Sequence, residues 1–194
     1  DSMIDMIAGA MRELVIGDPA DPRTDVGPVI DAEQLALLVR HRTWLRKHGR
    51  IVHECDLPPG LDGHYFAPLA AEIAAIGDLA HENFGPILHV VRYDKRALEA
   101  VIDAINATGY GLTMGLQTRL DGRIGHVAQR ARVGNLYVNR NIIGAVVGSQ
   151  PFGGEGLSGT GPKAGGPNYL LRFCAERTVT INTAAAGGNV ELLA

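Results

Sequence analysis

The sequence of 194 residues has few cysteines, no block of basic residues and no long apolar run. Two cysteines are too few for a disulfide-stapled scaffold, so we expect a reducing compartment, the cytoplasm. The 18 basic residues are outnumbered by 21 acidic ones and are not clustered, which argues against a nucleic-acid partner. No apolar stretch approaches the roughly 18 residues of a membrane span, so we expect no direct membrane contact.

What remains is the composition of an ordered globular protein. Hydrophobic residues make up 46% of the chain and charged residues 20%, which is sufficient for a packed core. The seven histidines show no metal-ligand spacing, so we expect no metal. The first residues, Asp1-Ser2-Met3, run directly into a helical pattern. We therefore expect no signal peptide, and a sequence that is a piece of a longer polypeptide.

Apolar spacing predicts helices that alternate with strands. The helices are predicted at 3–15, 31–49, 96–107 and 123–132, and the strands at 51–53, 87–93, 113–118, 134–139 and 177–182. Asp31 and Gln34 have the spacing of a capping box for the second helix. Such alternation is typical of an α/β fold with a parallel-rich sheet flanked by helices.

Glycine is the residue in excess. It accounts for 25 of the 194 residues, and nine of these lie between Gly144 and Gly166. Dense glycines let backbone N–H groups approach a ligand, and successive free N–H groups form an anion-binding nest. The segment Gly154–Gly159 matches G-x-G-x-x-G literally, but Thr160-Gly161-Pro162 follows it in place of a helix. We therefore do not interpret it as a dinucleotide-binding loop.

Neither cysteine has the sequence context of a nucleophile. Cys55 stands between Glu54 and Asp56, whose negative charges would raise the pKa of the thiol. Cys174 lies close to Arg172, which is electrostatically better, but no Cys-His motif surrounds it. We therefore expect Cys174 to be a buried or inert thiol.

Three ordered segments resemble motifs of the aldehyde dehydrogenase superfamily. Residues 82–86 read Glu-Asn-Phe-Gly-Pro and are similar to its E-x-F-G-P motif. Residues 134–139 resemble its G-x-x-x-V-N strand, and residues 151–159 resemble its P-F-G-G-x-x-x-S-G loop. The resemblance implies the C-terminal, catalytic-domain part of the aldehyde dehydrogenase fold, at residues 1–174. The late strand resembles the one used in subunit pairing, so we assign an oligomerisation strand and tail to 175–194.

The resemblance extends to one branch of the superfamily. Residues 144–154 and 163–167 are similar to the branch that oxidises L-glutamate γ-semialdehyde, formed from Δ1-pyrroline-5-carboxylate, to glutamate in proline catabolism. That branch includes the dehydrogenase part of the bifunctional proline-utilisation enzymes of bacteria. The resemblance implies NAD as the cofactor, a small-molecule aldehyde as the substrate, and a homo-oligomer.

Residue roles follow from the matching positions. Glu82 resembles the residue that binds the nicotinamide ribose hydroxyls, and Phe84 resembles the residue that packs against the nicotinamide end. Gly144 and Ala145 match the anchor that holds the substrate carboxylate through backbone N–H groups. Phe152 resembles an aromatic wall of the aldehyde pocket.

The nucleophilic cysteine, the general-base glutamate and the Rossmann domain of the superfamily match nothing in this sequence. The resemblance places all three upstream, so we expect no catalytic residue in this chain and no activity of the chain alone. Two other functions stay open. One is a generic aldehyde dehydrogenase for uncharged aldehydes, and the other is a non-catalytic binding or oligomerisation module.

Overall fold

The chain folds into two compact units in the computed structural model, which describes residues 1–159 and 161–182. The first unit spans Asp1–Thr108, and the second begins at Gly109. Both contain helices and paired strands, so the predicted α/β class is confirmed. None of the described helices has the length and apolarity needed to cross a bilayer.

The first unit contains three α-helices, α1 (Ser2–Arg12), α2 (Ala32–His48) and α3 (Leu98–Ala107), and a short 3-10 helix at Ile76–Asp78. The start of α2 follows from its cap, because the Asp31 side chain accepts a hydrogen bond from the Gln34 backbone N–H at 2.8 Å. The predicted reciprocal half of a capping box is absent. The Gln34 side chain reaches elsewhere, as described below.

The sheet of the first unit has three strands in the order β1 (Arg50–Glu54), β2 (Leu69–Glu72) and β3 (Ile87–Val90). The pair β1–β2 is antiparallel and the pair β2–β3 is parallel. The sequence analysis missed β2, whose residues Leu-Ala-Ala-Glu lack the β-branched side chains that favour strands. It forms a strand because a neighbour on each side supplies its backbone hydrogen bonds.

The core of the first unit lies between helix α2 and this sheet. Leu38 and Leu45 of α2 are almost completely buried against Phe66, Leu69 and Ile73. Because these α2 leucines are seven residues apart, they project from the same face of the helix. This packing fixes the position of the first turn of α2, which borders the candidate site.

In the part of the second unit that the structure describes, there are one α-helix, one short 3-10 helix (Leu170–Phe173) and two separate strand pairs. Helix α4 spans Asp121–Arg130, and strands β5 (Thr113–Leu116) and β6 (Asn135–Val138) on either side of it pair in parallel. The short strands β4 (Tyr110–Gly111) and β7 (Glu155–Gly156) pair antiparallel. Predicted parallel pairing is therefore present in both units, although in short ladders and not in one continuous sheet.

The strand predicted at 177–182 is wrong. The structure gives these residues no strand conformation, and the side chains of Val179 and Ile181 are nearly three-quarters exposed. β-branched residues favour a strand only where a neighbouring strand offers hydrogen bonds and covers one face. The remainder of the predicted tail, from residue 183, and Thr160 lie outside the described residues. The boundary at 174/175 and the role in subunit pairing stay predictions.

Candidate functional site

The segment 82–86 forms an exposed turn directly before strand β3. It is tied to the sheet because the Leu69 backbone N–H donates to the Pro86 carbonyl oxygen at 3.0 Å. Gly85 lies so close to the Leu38 side chain that a Cβ there would overlap it. The glycine and proline of the motif therefore hold the turn against the core, while Glu82 and Phe84 face solvent.

A side chain at the start of helix α2 is hydrogen-bonded to this turn. The Gln34 side-chain amide donates a hydrogen bond to the Phe84 carbonyl oxygen, 50 residues along the chain. Since Asp31 holds the Gln34 backbone, the cap of α2 and the turn are coupled. Sequence reasoning assigned Gln34 only to the cap, because nothing in the local pattern shows a contact of this sequence separation.

A cavity of about 450 Å³ opens beside the turn, within the first unit. Its lining combines hydrogen-bonding, charged and aromatic side chains, among them Gln34, Arg40, Trp44, His81, Glu82 and Phe84. The Phe84 ring is 73% exposed, and Glu82 makes no hydrogen bond or ion pair with another described residue. The site therefore offers a carboxylate acceptor and a flat aromatic face to a ligand.

One residue that lines this cavity, His41, forms a pair with His89 of strand β3. The Nε2 atoms of His41 and His89 are 2.7 Å apart, so one nitrogen carries the hydrogen and the other accepts it. The His41 ring also stacks on Trp44. Burial lowers the pKa of His89 to about 4, with a further contribution from the charge of His41. Burial, followed by the charge of His81, lowers the pKa of His41 as well.

The second candidate region is the loop 144–154 of the second unit, whose backbone is extensively held. Val146 and Gln150 exchange two backbone hydrogen bonds of 2.8 Å, which close the loop into a tight hairpin. The Gly148 N–H donates to the Gly165 carbonyl oxygen at 2.9 Å. Phe152 exchanges two backbone hydrogen bonds with Ala164, and its ring is more than half exposed. The apolar loop is therefore structured, and it presents Phe152 outward.

The predicted anchor lies at the exposed start of this loop. Gly144 has a φ of +88°, a left-handed conformation that favours glycine. The N–H groups of Gly144 and Ala145 donate no hydrogen bond to any described residue. Two neighbouring amide donors are thus available to an anionic group, as the anchor hypothesis requires.

Several other glycines of this unit are required by close packing of the backbone. A Cβ at Gly134 would overlap the Gly153 carbonyl oxygen, and one at Gly154 would overlap the Gly111 carbonyl oxygen. We call this close approach of Gly111, Gly134 and Gly154 the glycine crossing. It corrects the sequence interpretation, in which the glycine density as a whole indicated ligand contact. Between residues 144 and 166, a Cβ would face open space at Gly144, Gly148 and Gly159.

Two further motif residues support the crossing. The Lys163 ammonium donates to the Gly134 carbonyl oxygen and to the Asn135 side-chain oxygen. The Ser158 hydroxyl accepts a hydrogen bond of 3.0 Å from the Gly111 N–H. No helix begins directly after the G-x-G-x-x-G stretch; the described residues there form the short strand β7 and turns, and the next helical segment is a single 3-10 turn at Leu170–Phe173.

The two cysteines differ from each other in environment. The Cys55 thiol is half-buried and donates to the Met11 carbonyl oxygen at 3.3 Å. Burial first, and Asp56 second, raise its pKa, which opposes nucleophilic reactivity. Cys174 is exposed, so the expectation of burial does not hold for it. Its thiol donates a hydrogen bond to the Leu170 carbonyl oxygen.

The fold and the loop geometry agree with a known class of protein. The profile of the aldehyde dehydrogenase family matches residues 1–179, and the chain belongs to this family. The resemblance noted in the sequence is thereby confirmed.

Two relatives with high sequence identity show which members of the family the chain resembles. The bifunctional protein PutA of Escherichia coli strain K12 is 51% identical over 183 residues, or 91% of this chain and 14% of that protein. A crystal structure of Bradyrhizobium japonicum proline utilization A is 57% identical, with a TM-score of 0.89 over 96% of this chain and 19% of that one.

A third relative is a 1-pyrroline-5-carboxylate dehydrogenase from Thermus, solved with bound NAD. It is 34% identical, with a TM-score of 0.80 over 89% of this chain and 33% of that one. The chain therefore spans between about a seventh and a third of the length of these relatives.

Proposed function

We propose that the chain is the substrate- and cofactor-positioning part of an NAD-dependent dehydrogenase. The reaction is oxidation of L-glutamate γ-semialdehyde, formed from Δ1-pyrroline-5-carboxylate, to glutamate in proline catabolism. The observation that carries the proposal is the exposed turn at Gly144 and Ala145, with two amide donors suited to a carboxylate. The names of the relatives, proline utilization A and 1-pyrroline-5-carboxylate dehydrogenase, support the same assignment.

The anchor acts on the end of the substrate that does not react. In this proposal the N–H groups of Gly144 and Ala145 bind the carboxylate, and the exposed Phe152 ring packs against the carbon chain. Hydrogen bonds to a charged group are stronger than those between neutral groups. Binding energy gained at the carboxylate is then used to orient the aldehyde carbon for reaction.

The residues beside the cavity fit the nicotinamide half of NAD. Glu82 is exposed and has acceptor capacity for two ribose hydroxyls, and Phe84 offers an open ring face at the same turn. Gln34 keeps that turn in place through the Phe84 carbonyl oxygen. When bound, NAD⁺ supplies the acceptor for the hydride that leaves the aldehyde carbon. The remaining work of these residues is to bind and orient.

The reacting groups are proposed to belong to another part of the full-length enzyme. Cys55 has a raised thiol pKa and Cys174 lies outside both candidate regions, so neither suits the role of nucleophile. The nucleophilic cysteine and the general-base glutamate are therefore expected upstream. We expect the isolated chain to be inactive, and the full-length enzyme to be a cytoplasmic homo-oligomer.

The test is NADH formation by the full-length enzyme that contains this chain. Glutamate γ-semialdehyde is compared with an aldehyde of similar length that lacks the carboxylate, and we expect a large preference for the former. Equal efficiencies would leave a dehydrogenase of uncharged aldehydes. No NADH formation from any aldehyde would favour a non-catalytic binding or oligomerisation module.

The Ala145→Pro variant tests the anchor itself, because proline has no N–H. Proline fixes φ near −65°, and Ala145, unlike Gly144, is not in the positive-φ region. Losing one hydrogen bond to a charge costs about 1.5–3 kcal/mol, so kcat/KM for the carboxylated aldehyde should fall about 10- to 150-fold. The value for the uncharged aldehyde should not change. Val147→Ala, which alters the same loop but keeps every amide donor, is the control.

A further inference from the structure

Tyr137 connects the buried strand β6 to the exposed anchor. Its side chain is only 6% exposed, yet its hydroxyl reaches the loop and donates a hydrogen bond of 3.1 Å to the Gly144 carbonyl oxygen. A buried tyrosine hydroxyl needs a polar partner. Here the partner is the peptide group that joins the two residues of the anchor.

The direction of that peptide group decides where the Ala145 N–H points. The Gly144 carbonyl and the Ala145 N–H belong to one planar trans peptide, in which they point to opposite sides. Holding the oxygen toward Tyr137 therefore holds the N–H away from it. No other described residue hydrogen-bonds to either group. Gly144 has no Cβ to restrain it, and within the described part of the chain the Tyr137 hydroxyl supplies the one hydrogen bond that holds this peptide.

The tyrosine is itself held by Arg140. The guanidinium carbon lies 4.6 Å from the centre of the Tyr137 ring, in cation–π contact. The same guanidinium donates through Nη1 to the Gln150 side-chain oxygen at 2.9 Å. Gln150 closes the hairpin with Val146. Tyr137 and Arg140 thus support the beginning and the end of the anchor loop together.

We infer that Tyr137 is a positioning residue whose hydroxyl aims the Ala145 N–H at the substrate carboxylate, and thereby sets the preference for carboxylated over uncharged aldehydes. This inference rests on the proposed function. Tyr137 does not touch the substrate in this arrangement, because it acts through the peptide group between Gly144 and Ala145.

The test is Tyr137→Phe in the full-length enzyme, which removes the hydroxyl and keeps the ring that Arg140 covers. Loss of a neutral hydrogen bond corresponds to about a 2- to 13-fold decrease in kcat/KM for glutamate γ-semialdehyde. We expect the decrease to appear as both a higher KM and a lower kcat, because the carboxylate contact also orients the aldehyde carbon. The inhibition constant of glutarate, a dicarboxylate of the same carbon length, should rise by the same factor. The uncharged aldehyde should be oxidised with unchanged kcat/KM.

Tyr169→Phe is the matched control. It removes a hydroxyl from the same unit, and that hydroxyl makes no hydrogen bond with a described residue. If Tyr137→Phe leaves the preference and the glutarate constant of the wild type intact, the inference is overturned. An equal loss for both aldehydes would also overturn it, because it would indicate a merely structural role. A wild-type enzyme without any preference would instead contradict the proposed function.

Discussion

The histidine pair predicts a loss of stability in mild acid. His89 lies on strand β3 with its Nε2 atom 2.7 Å from that of His41, and burial lowers its pKa to about 4. In the unfolded chain an imidazole titrates near 6.5. Between these two values the unfolded state binds a proton that the folded state does not. Stability is therefore complete above about pH 6.5 and falls as the pH drops toward 4.

The size of the effect follows from the two pKa values. A folded-state pKa of about 4 against an ordinary 6.5 corresponds to about 3 kcal/mol at most. The His89 imidazole is only half-buried, so solvent screening reduces the expected loss to roughly 1–2 kcal/mol. His41 adds to the loss in the same direction, because its pKa is lowered too.

The assay is an NMR titration of the imidazole signals together with urea unfolding between pH 4 and pH 7. His89→Gln keeps a polar side chain that does not titrate, so it should flatten the pH dependence of the unfolding free energy. His41→Gln should raise the pKa of His89 only in part, because burial is the larger cause and the charge of His41 the smaller. An ordinary pKa for His89, with stability constant down to pH 4.5, would refute the reasoning.

Two other predictions concern packing. Leu45→Ala should lower the unfolding free energy by about 2–5 kcal/mol in a denaturant titration, since the side chain is completely buried; a loss below about 1 kcal/mol would contradict the described core. Gly125→Ala in helix α4 should stabilise by about 0.5–1 kcal/mol, because a Cβ there meets open space. Gly134→Ala should destabilise strongly, because its Cβ would overlap the Gly153 carbonyl oxygen; similar melting temperatures for both variants would contradict the glycine crossing.

Elements with a clear apolar period were predictable from the sequence. Helices α2 and α3 and strands β5 and β6 lie within about two residues of their predicted positions. Strand β2 was not predictable, because its Leu-Ala-Ala-Glu sequence has no strand preference of its own. The segment 177–182 has that preference but no strand conformation. In both cases the available neighbours, and not local propensity, decide the outcome.

The sequence predicted which residues form the candidate site, but not the contacts that hold those residues in place. Glu82, Phe84, Gly144, Ala145 and Phe152 were identified from spacing and resemblance, and their roles stay predictions. The supporting contacts of Gln34 and Tyr137 could not be predicted, because each joins residues through a hydrogen bond that no local pattern encodes. For the Tyr137 contact, the one signal in the sequence is an aromatic residue on a strand that directly precedes the loop.

The sequence also could not show why each individual glycine is required. In sequence, Gly134 and Gly144 both belong to glycine-containing motifs and cannot be distinguished. In the structure, the first lies against another backbone and the second faces open space with a positive φ. Only three-dimensional packing separates a glycine required by the scaffold from one that is available to a ligand.

The glycine crossing also determines where this loop can be redesigned. At Gly111, Gly134 and Gly154 any side chain would displace a neighbouring backbone, so a single substitution there cannot be rescued by a second one nearby. Positions 145 and 147 are exposed and have no such restriction, and the Val147 side chain is 83% exposed. Under the proposed function, a mutant library aimed at new aldehyde substrates should therefore randomise these two positions and leave the crossing unchanged.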